Sequence, residues 1–453
     1  MPGAGRRGAA PSERDVDRRT LCWLGALLLL AACSTPVVGA AAGASEPGVA
    51  TPELMPDPLG PVPPDDARTE AYAHGGYALF FIGTLWSLAV LLVVVASGFG
   101  ARLQQVSERV TPRPYLKVAV YAVLFSLLNV AASFPLDVYS GFVREKRYGF
   151  LNQDLGGWLG DQAKALAVGL VLQAILLPIL YWAIRRLGSA WWLPGAALTI
   201  VFVVLVQAIF PIFIAPLFNS FEPLRDESLK RDILELAHAQ GIPADQVYEV
   251  DASRQSEHNN AYVAGILGTQ RIVLYDTLLR RFTPREIRSI MGHEMGHYVL
   301  KHIWKSVAFA SVLVVIAFLL VDRAGRRIIR TRPGFGINGL EEPASLPLIM
   351  LLLGVFLLLA RPLISIYSQA QESAADRFGL EVVQDPEAAA SSFLKFGRYD
   401  LNERHVHPII EKILLTHPSV THRVETARAW ARAHPPQPVM PDAEQPVETP
   451  AKN

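Results

Sequence analysis

The stretch PLIMLLLGVFLLLA, residues 347–360, decides the fold. A helix built from it has no polar stripe to turn toward water, so it belongs in hydrocarbon rather than in a soluble core. LAVLLVVVA, residues 88–96, reads the same way. Working outward with a window of about 19 residues, the length that spans a bilayer core, six apolar runs emerge: Tyr77–Ser97, Tyr115–Phe134, Ala163–Ile184, Trp192–Phe213, Ile303–Val321 and Leu346–Tyr367. These predict six membrane-spanning helices, and the bilayer is the first partner the chain implies.

Composition agrees. Of 453 residues, 51% are hydrophobic and 18% charged, and the mean hydropathy of +0.27 excludes an ordinary soluble enzyme. With 42 basic against 41 acidic residues the net charge is +1, which gives no field for a phosphate backbone. No nucleic-acid-reading motif occurs, so a nucleic-acid partner is excluded. Both cysteines, Cys22 and Cys33, lie near the N-terminus, so any metal elsewhere must be held by histidine and carboxylate.

A shorter apolar segment, Leu21–Ala32, follows Arg18 and Arg19 and ends in Leu30-Ala31-Ala32-Cys33. Residues 1–33 therefore read as a secretory signal with a lipobox-like cysteine or as a first membrane span. Residues 34–75, rich in Pro, Ala, Gly and Asp, predict a flexible linker, and 435–453 a disordered tail. Between them, 76–218 reads as an N-terminal membrane domain of four spans. Residues 219–434 read as a second domain that includes the spans at 303–321 and 346–367.

Within Asn219–His302 the pattern is a small α+β unit: a helix over SLKRDILELAHAQG closed by Gly241, then VYEVDAS, NNAYVAG and the β-branched RIVLYDTLL. From Glu372 to about His434 the chain reads as helical.

Thr283-Pro284-Arg285-Glu286 is a helix start, with a hydroxyl cap, proline in the first turn and glutamate at the capping-box position. The helix it opens carries His293-Glu294-Met295-Gly296-His297. At about 100° per residue, histidines four apart share a face and can bind one Zn²⁺. Glu294 is turned away from that axis and placed to act on water at the metal. His302, about 140° round a continuous helix from His297, is not counted as a ligand. A catalytic zinc needs a third protein ligand, which can be His, Asp or Glu. Ser368-Gln369-Ala370-Gln371-Glu372-Ser373-Ala374-Ala375-Asp376 puts Glu372 and Asp376 on one helix face. A carboxylate here could ligate zinc while Asp376 holds the second ring nitrogen of a histidine. Equally, the acids could mark a helix N-terminus favoured by its dipole.

The HExxH helix followed by ExxAD resembles the gluzincin metalloproteases, and the flanks narrow this to the type I CaaX prenyl endopeptidases of membranes. Pro135-Leu136-Asp137-Val138-Tyr139, Gly149-Phe150-Leu151-Asn152-Gln153, Ile214-Ala215-Pro216-Leu217-Phe218, Asn260-Ala261-Tyr262, Arg271 to Leu279 and Thr416-His417-Pro418 look like that family in the same order, from about residue 70 to 430. The resemblance implies a mainly α fold, a polytopic ring of membrane helices around a chamber, with a small α+β gluzincin zinc-protease domain. It implies one Zn²⁺ on His293, His297 and Glu372, with Glu294 as general base. His417 and Arg423 match residues near the site, with oxyanion or supporting roles, and Asp376 would support a ligand. Asn260 and Ala261 match a strand edge that holds substrate backbone. Gln369 and Ala370 depart from the basic residues the family often carries before its zinc glutamate.

The implied function is zinc-dependent endoproteolysis of membrane-associated or lipid-modified, CaaX-like polypeptides. The alternatives are a general quality-control protease of membrane proteins and a non-catalytic, zinc-stabilised transporter or scaffold. The lipobox-like cysteine suggests a bacterial inner membrane. Arg323, Arg326, Arg327, Arg330 and Arg332, with Arg102 to Arg113 and Arg185-Arg186, place their loops in the cytoplasm by the positive-inside rule and the zinc domain outside. The resemblance implies a cytosol-facing site.

Overall fold

A computed structural model describes residues 57–264 and 271–435. Leu21–Ala32, Cys33, residues 34–56 of the expected linker and 436–453 of the expected tail lie outside the described residues.

The membrane part begins with α1 (Ala67–Ala96), the short α2 (Phe99–Val110) and α3 (Pro114–Val138), which runs on through a π-helical turn to Arg147. It continues with α4 (Leu155–Leu187) and α5 (Trp192–Ile209). Then come β1 (Phe221–Pro223), α6 (Glu227–Ala239), β2 (Val247–Val250), β3 (Ala261–Ala264), β4 (Arg271–Tyr275), α7 (Asp276–Arg281) and α8 (Pro284–Val299). Two further long helices, α9 (His302–Thr331) and α10 (Leu346–Val383), precede α11 (Pro386–Tyr399), α12 (Pro408–Leu414) and α13 (Val420–Ala433).

Among the described residues six helices, α1, α3, α4, α5, α9 and α10, are long and apolar enough to cross a membrane. Their inward faces share a core that includes Leu91, Tyr121, Phe125, Tyr181, Trp191, Phe318 and Leu353. Their outward faces are apolar too, with Val93 63% and Leu359 76% exposed, an arrangement that only hydrocarbon satisfies. Two of these helices begin at an aspartate cap, α1 at Asp66 and α4 at Asp154. Residues 57–75 accordingly differ from the linker expected there. Asp66 caps α1 by accepting from the Thr69 amide at 2.6 Å, and Asp65 accepts from the backbone amides of Arg404 and His405. Composition hid a helix start that the cap geometry makes plain.

The arginine-rich loops meet at one end of the bundle. Arg326 donates to the Gly188 carbonyl at 2.8 Å, Arg185 to that of Glu341 at 3.1 Å, and Gln104 accepts from the Ala344 amide at 3.0 Å. At the opposite end stands a four-stranded sheet in the order β1-β2-β4-β3, with β2 and β4 parallel and the outer pairs antiparallel. The strand β1 was not anticipated, being three residues long and ending in Pro223. Leu229, Ile233, Leu236, Val247, Ile272 and Leu274 form the core between sheet and helices, closed by Met291 and Met295 of α8. Burying those two methionines leaves the other faces of α8 for α10.

Candidate active site

α8 starts as its sequence dictates. The Thr283 side chain accepts from the Glu286 amide while the Glu286 carboxylate accepts from the Thr283 amide, a complete capping box. Glu286 is further held by Lys395, whose ammonium lies 2.6 Å away, and by the Ser391 hydroxyl, also at 2.6 Å. The helix is thereby fixed from its first turn.

α8 and α10 approach closely because small residues face each other. A Cβ on Gly379 would lie 2.9 Å from the His293 amide nitrogen, and one on Gly296 would lie 3.2 Å from the Ala375 Cα. That approach brings the motif histidines onto the continuation of the last membrane helix. The Nε2 atoms of His293 and His297 are 3.1 Å apart. Glu372 reaches between them, with Oε2 3.3 Å from His293 Nε2 and Oε1 3.5 Å from His297 Nε2. One ligand atom from each of these three residues lies within 4.8 Å of the others, a spacing that a single metal ion could bridge.

Asp376, Arg423 and His417 lie around this trio. His293 Nδ1 is 2.8 Å from Asp376 Oδ1. Arg423 donates through Nε to Asp376 Oδ2 at 2.9 Å and through Nη2 to Oδ1 at 2.5 Å, and its guanidinium lies over the Phe393 ring. His417 approaches from the loop before α13, with Nε2 3.2 Å from Glu372 Oε2 and Nδ1 3.0 Å from the Thr416 hydroxyl. That loop is held by Gln369, whose amide donates to the carbonyls of Glu411 at 2.7 Å and Leu415 at 3.0 Å. Gln369 thus anchors the His417 segment. Glu294 stands aside, its Oε1 4.0 Å from His293 Nε2 and its side chain 20% exposed.

Burial pushes the Glu294 carboxyl up to about 7. It would also lower His293, but Asp376 and Glu372 more than offset it and hold that imidazole up at about 10. His297 is driven down, to about 3, by burial and by the neighbouring His293 cation. Glu372 Oε2 is buried and makes no hydrogen bond. An orphaned carboxylate oxygen facing imidazole nitrogens is a donor set that suits a divalent metal of borderline softness.

Asn260 and Ala261 lie apart from the trio, where β3 packs alongside α8. Tyr275 donates its amide to the Asn260 carbonyl at 3.0 Å, so in the antiparallel ladder Ala261 and Val263 turn their backbone groups to the open edge. The Ala261 amide is met there by Asn260 Oδ1 at 2.9 Å.

One residue near the trio was set aside in the sequence. His302 is buried with its Nδ1 3.0 Å from His297 Nδ1. The chain leaves the helical path at Lys301, whose φ is 57°, and nothing in Leu300-Lys301 announces the break.

Comparison with known proteins places this arrangement. Residues 223–431 match the family model for peptidase family M48, and residues 53–220 match that for the CAAX prenyl protease N-terminal region, described as five membrane helices. A Bacillus subtilis protein named uncharacterized metalloprotease YhfN is 34% identical over 367 residues, covering 81% of this chain and 86% of that one. The chain belongs to peptidase family M48. Other relatives include CAAX prenyl protease 1 of Saccharomyces cerevisiae, 36% identical over 205 residues and 44% of each chain. The crystal structure of S. mikatae Ste24p superposes with a TM-score of 0.68 at 25% identity, over 80% of this chain and 87% of that one. The fold is therefore that of the Ste24p membrane chamber, mainly α, with a small sheet. The protein is an integral, multi-pass membrane metalloendopeptidase of CAAX prenyl protease type.

Proposed function

We propose that the protein is a zinc endopeptidase that cuts membrane-associated or lipid-modified, CaaX-like polypeptides, with one Zn²⁺ held by His293, His297 and Glu372. The observation that carries this reading is the meeting of those three side chains with Glu294 beside them. When bound, the metal supplies positive charge that acidifies water and polarises the scissile carbonyl. Glu294 takes the proton of the attacking water and delivers it to the leaving amine nitrogen; a carboxyl titrating near 7 suits both steps. Asp376 orients His293 through Nδ1, and Arg423 holds Asp376. Because Arg423 is committed to that carboxylate, the oxyanion role falls to His417, with Nε2 at the centre. The open edge at Asn260 and Ala261 would pair with an extended peptide whatever its side chains.

Relatives named CAAX prenyl protease and the setting of the site on a membrane helix support the lipid-modified substrate. A buried lipid chain contributes about 0.8 kcal/mol per CH₂. The division into a membrane domain over 76–218 and a metallopeptidase domain over 219–434 belongs to the same reading. So does location in a bacterial inner membrane.

The test is cleavage, in lipid nanodiscs, of a farnesylated CaaX peptide beside its unprenylated twin. Chelator-sensitive cleavage preferring the lipidated peptide is expected. Glu294→Gln should keep its zinc and lose turnover by about a thousandfold or more. Unchanged cleavage by that variant would remove the general-base assignment, and equal cleavage of both peptides would favour the quality-control reading.

A further inference from the structure

Each of the two motif histidines turns Nε2 toward the other and toward Glu372, and each presents Nδ1 to an outer group. For His293 that group is the Asp376 carboxylate at 2.8 Å. For His297 it is another imidazole, His302 Nδ1 at 3.0 Å, the rings meeting edge to face at 74°. His302 is 4% exposed, too buried to be an incidental surface histidine.

The backbone is bent to put it there. α8 closes with the Leu300 amide donating to the Gly296 carbonyl, and α9 opens with the Lys305 amide donating to that of Lys301. Between them Lys301 adopts φ 57° and ψ 38°, a left-handed conformation that is unfavourable for a residue with a Cβ. A helix running straight on would carry His302 about 140° away from His297.

We propose that His302 is a positioning residue for the metal site, fixing the tautomer and aim of His297; this rests on the metal reading above. Proton bookkeeping gives the direction of the bond. His297 can offer its Nε2 lone pair to a metal only if its proton sits on Nδ1. That N–H donates to His302 Nδ1, which must be the acceptor, so His302 is neutral with its proton on Nε2. The two ligand imidazoles are thereby unequal: a carboxylate makes His293 the more electron-rich donor, whereas a neutral ring orients His297 without adding charge.

The test measures zinc affinity by chelator competition on the full-length protein in nanodiscs, with the melting temperature in excess chelator as the check on folding. His302→Leu should weaken zinc binding by about 10- to 100-fold while the metal-free melting temperature holds. His302→Asn, whose carbonyl oxygen stands near the position of Nδ1, should bind within about threefold of wild type. His302→Gln, which moves the acceptor outward toward Nε2, should resemble His302→Leu; this Asn and Gln pair decides the matter if the Leu variant misfolds. Equal affinity of the Leu variant and wild type, or equal losses for Asn and Gln, would overturn the proposal. A wild-type protein that takes up no stoichiometric metal would instead overturn the site on which it rests.

Discussion

The helix α10 does two different jobs along its 38 residues. Its first half, around Leu348 to Leu357, packs among membrane helices through flexible side chains. Its second half, from Glu372 to Gly379, packs against α8 through glycine, alanine and backbone. Each half contains a glycine with a close neighbour, and the neighbours differ in kind. A Cβ at Gly354 would meet the Leu88 Cδ2 at 2.8 Å, the end of a movable side chain; a Cβ at Gly379 would meet the His293 amide nitrogen at 2.9 Å, which cannot move without the motif helix. A membrane bundle requires apolar volume, and a metal site requires backbone distance. The same helix satisfies the two by different packing rules.

The largest effect is therefore expected at the site half. Gly379→Ala should force α8 from α10, cost about 1–3 kcal/mol in overpacking, and move His293 and His297 relative to Glu372. A displacement on the order of 1 Å costs about a hundredfold in turnover. Zinc content and cleavage should fall together in that variant; full zinc occupancy with normal cleavage would show that the close approach does not set the site.

How much of this was readable beforehand divides along the same line. The six membrane helices were legible because an apolar run of spanning length has one low-energy location, whatever its neighbours. The α8 histidines were legible because helical pitch fixes residues four apart. From spacing alone Glu372 stayed one of several possible third ligands, since its nearness to His293 depends on the glycine contact between two helices almost 80 residues apart in sequence, and the family resemblance supplied the choice. His302 was set aside as a ligand, and its place beside His297 was not legible: that position depends on one left-handed backbone at Lys301, which has neither glycine nor proline to mark it. Residues 67–75 were misread because proline and alanine content suggested a linker, while the Asp66 cap says helix.

A second, intermediate effect sharpens the comparison at the joint between the two regions. His258 lies between Asp400 Oδ1, 3.2 Å from its Nδ1, and Glu145 Oε2, 3.3 Å from its Nε2, with the Tyr72 hydroxyl 3.5 Å from Nε2 and the Phe150 ring stacked at 4.1 Å. Burial alone would lower this histidine, but the two carboxylates outweigh it and raise it to about 9. Because the folded value lies above the unfolded one, the stabilisation is fully present below about pH 6.5 and is lost as pH rises through about 9. It amounts to at most about 3 kcal/mol. The melting temperature should fall across that window, and His258→Gln should flatten the fall. An equally steep decline in the variant would assign it to other groups.

The smallest effect is expected in the membrane half, and it completes the pair. Gly354→Ala adds a methyl group against Leu88, which can turn aside, and it replaces the poorest non-proline helix former with the best, worth about 1 kcal/mol in a helix. The two terms oppose each other, so stability should change by less than about 1 kcal/mol and zinc content and cleavage should stay at wild-type level. Measuring both glycine variants side by side separates two accounts of α10. If Gly354→Ala disables the enzyme as thoroughly as Gly379→Ala, the helix acts as one rigid rod and the membrane bundle sets the site's geometry from a distance. If only Gly379→Ala does so, the geometry is set locally where α10 meets α8, and the apolar half serves to hold that contact at the membrane.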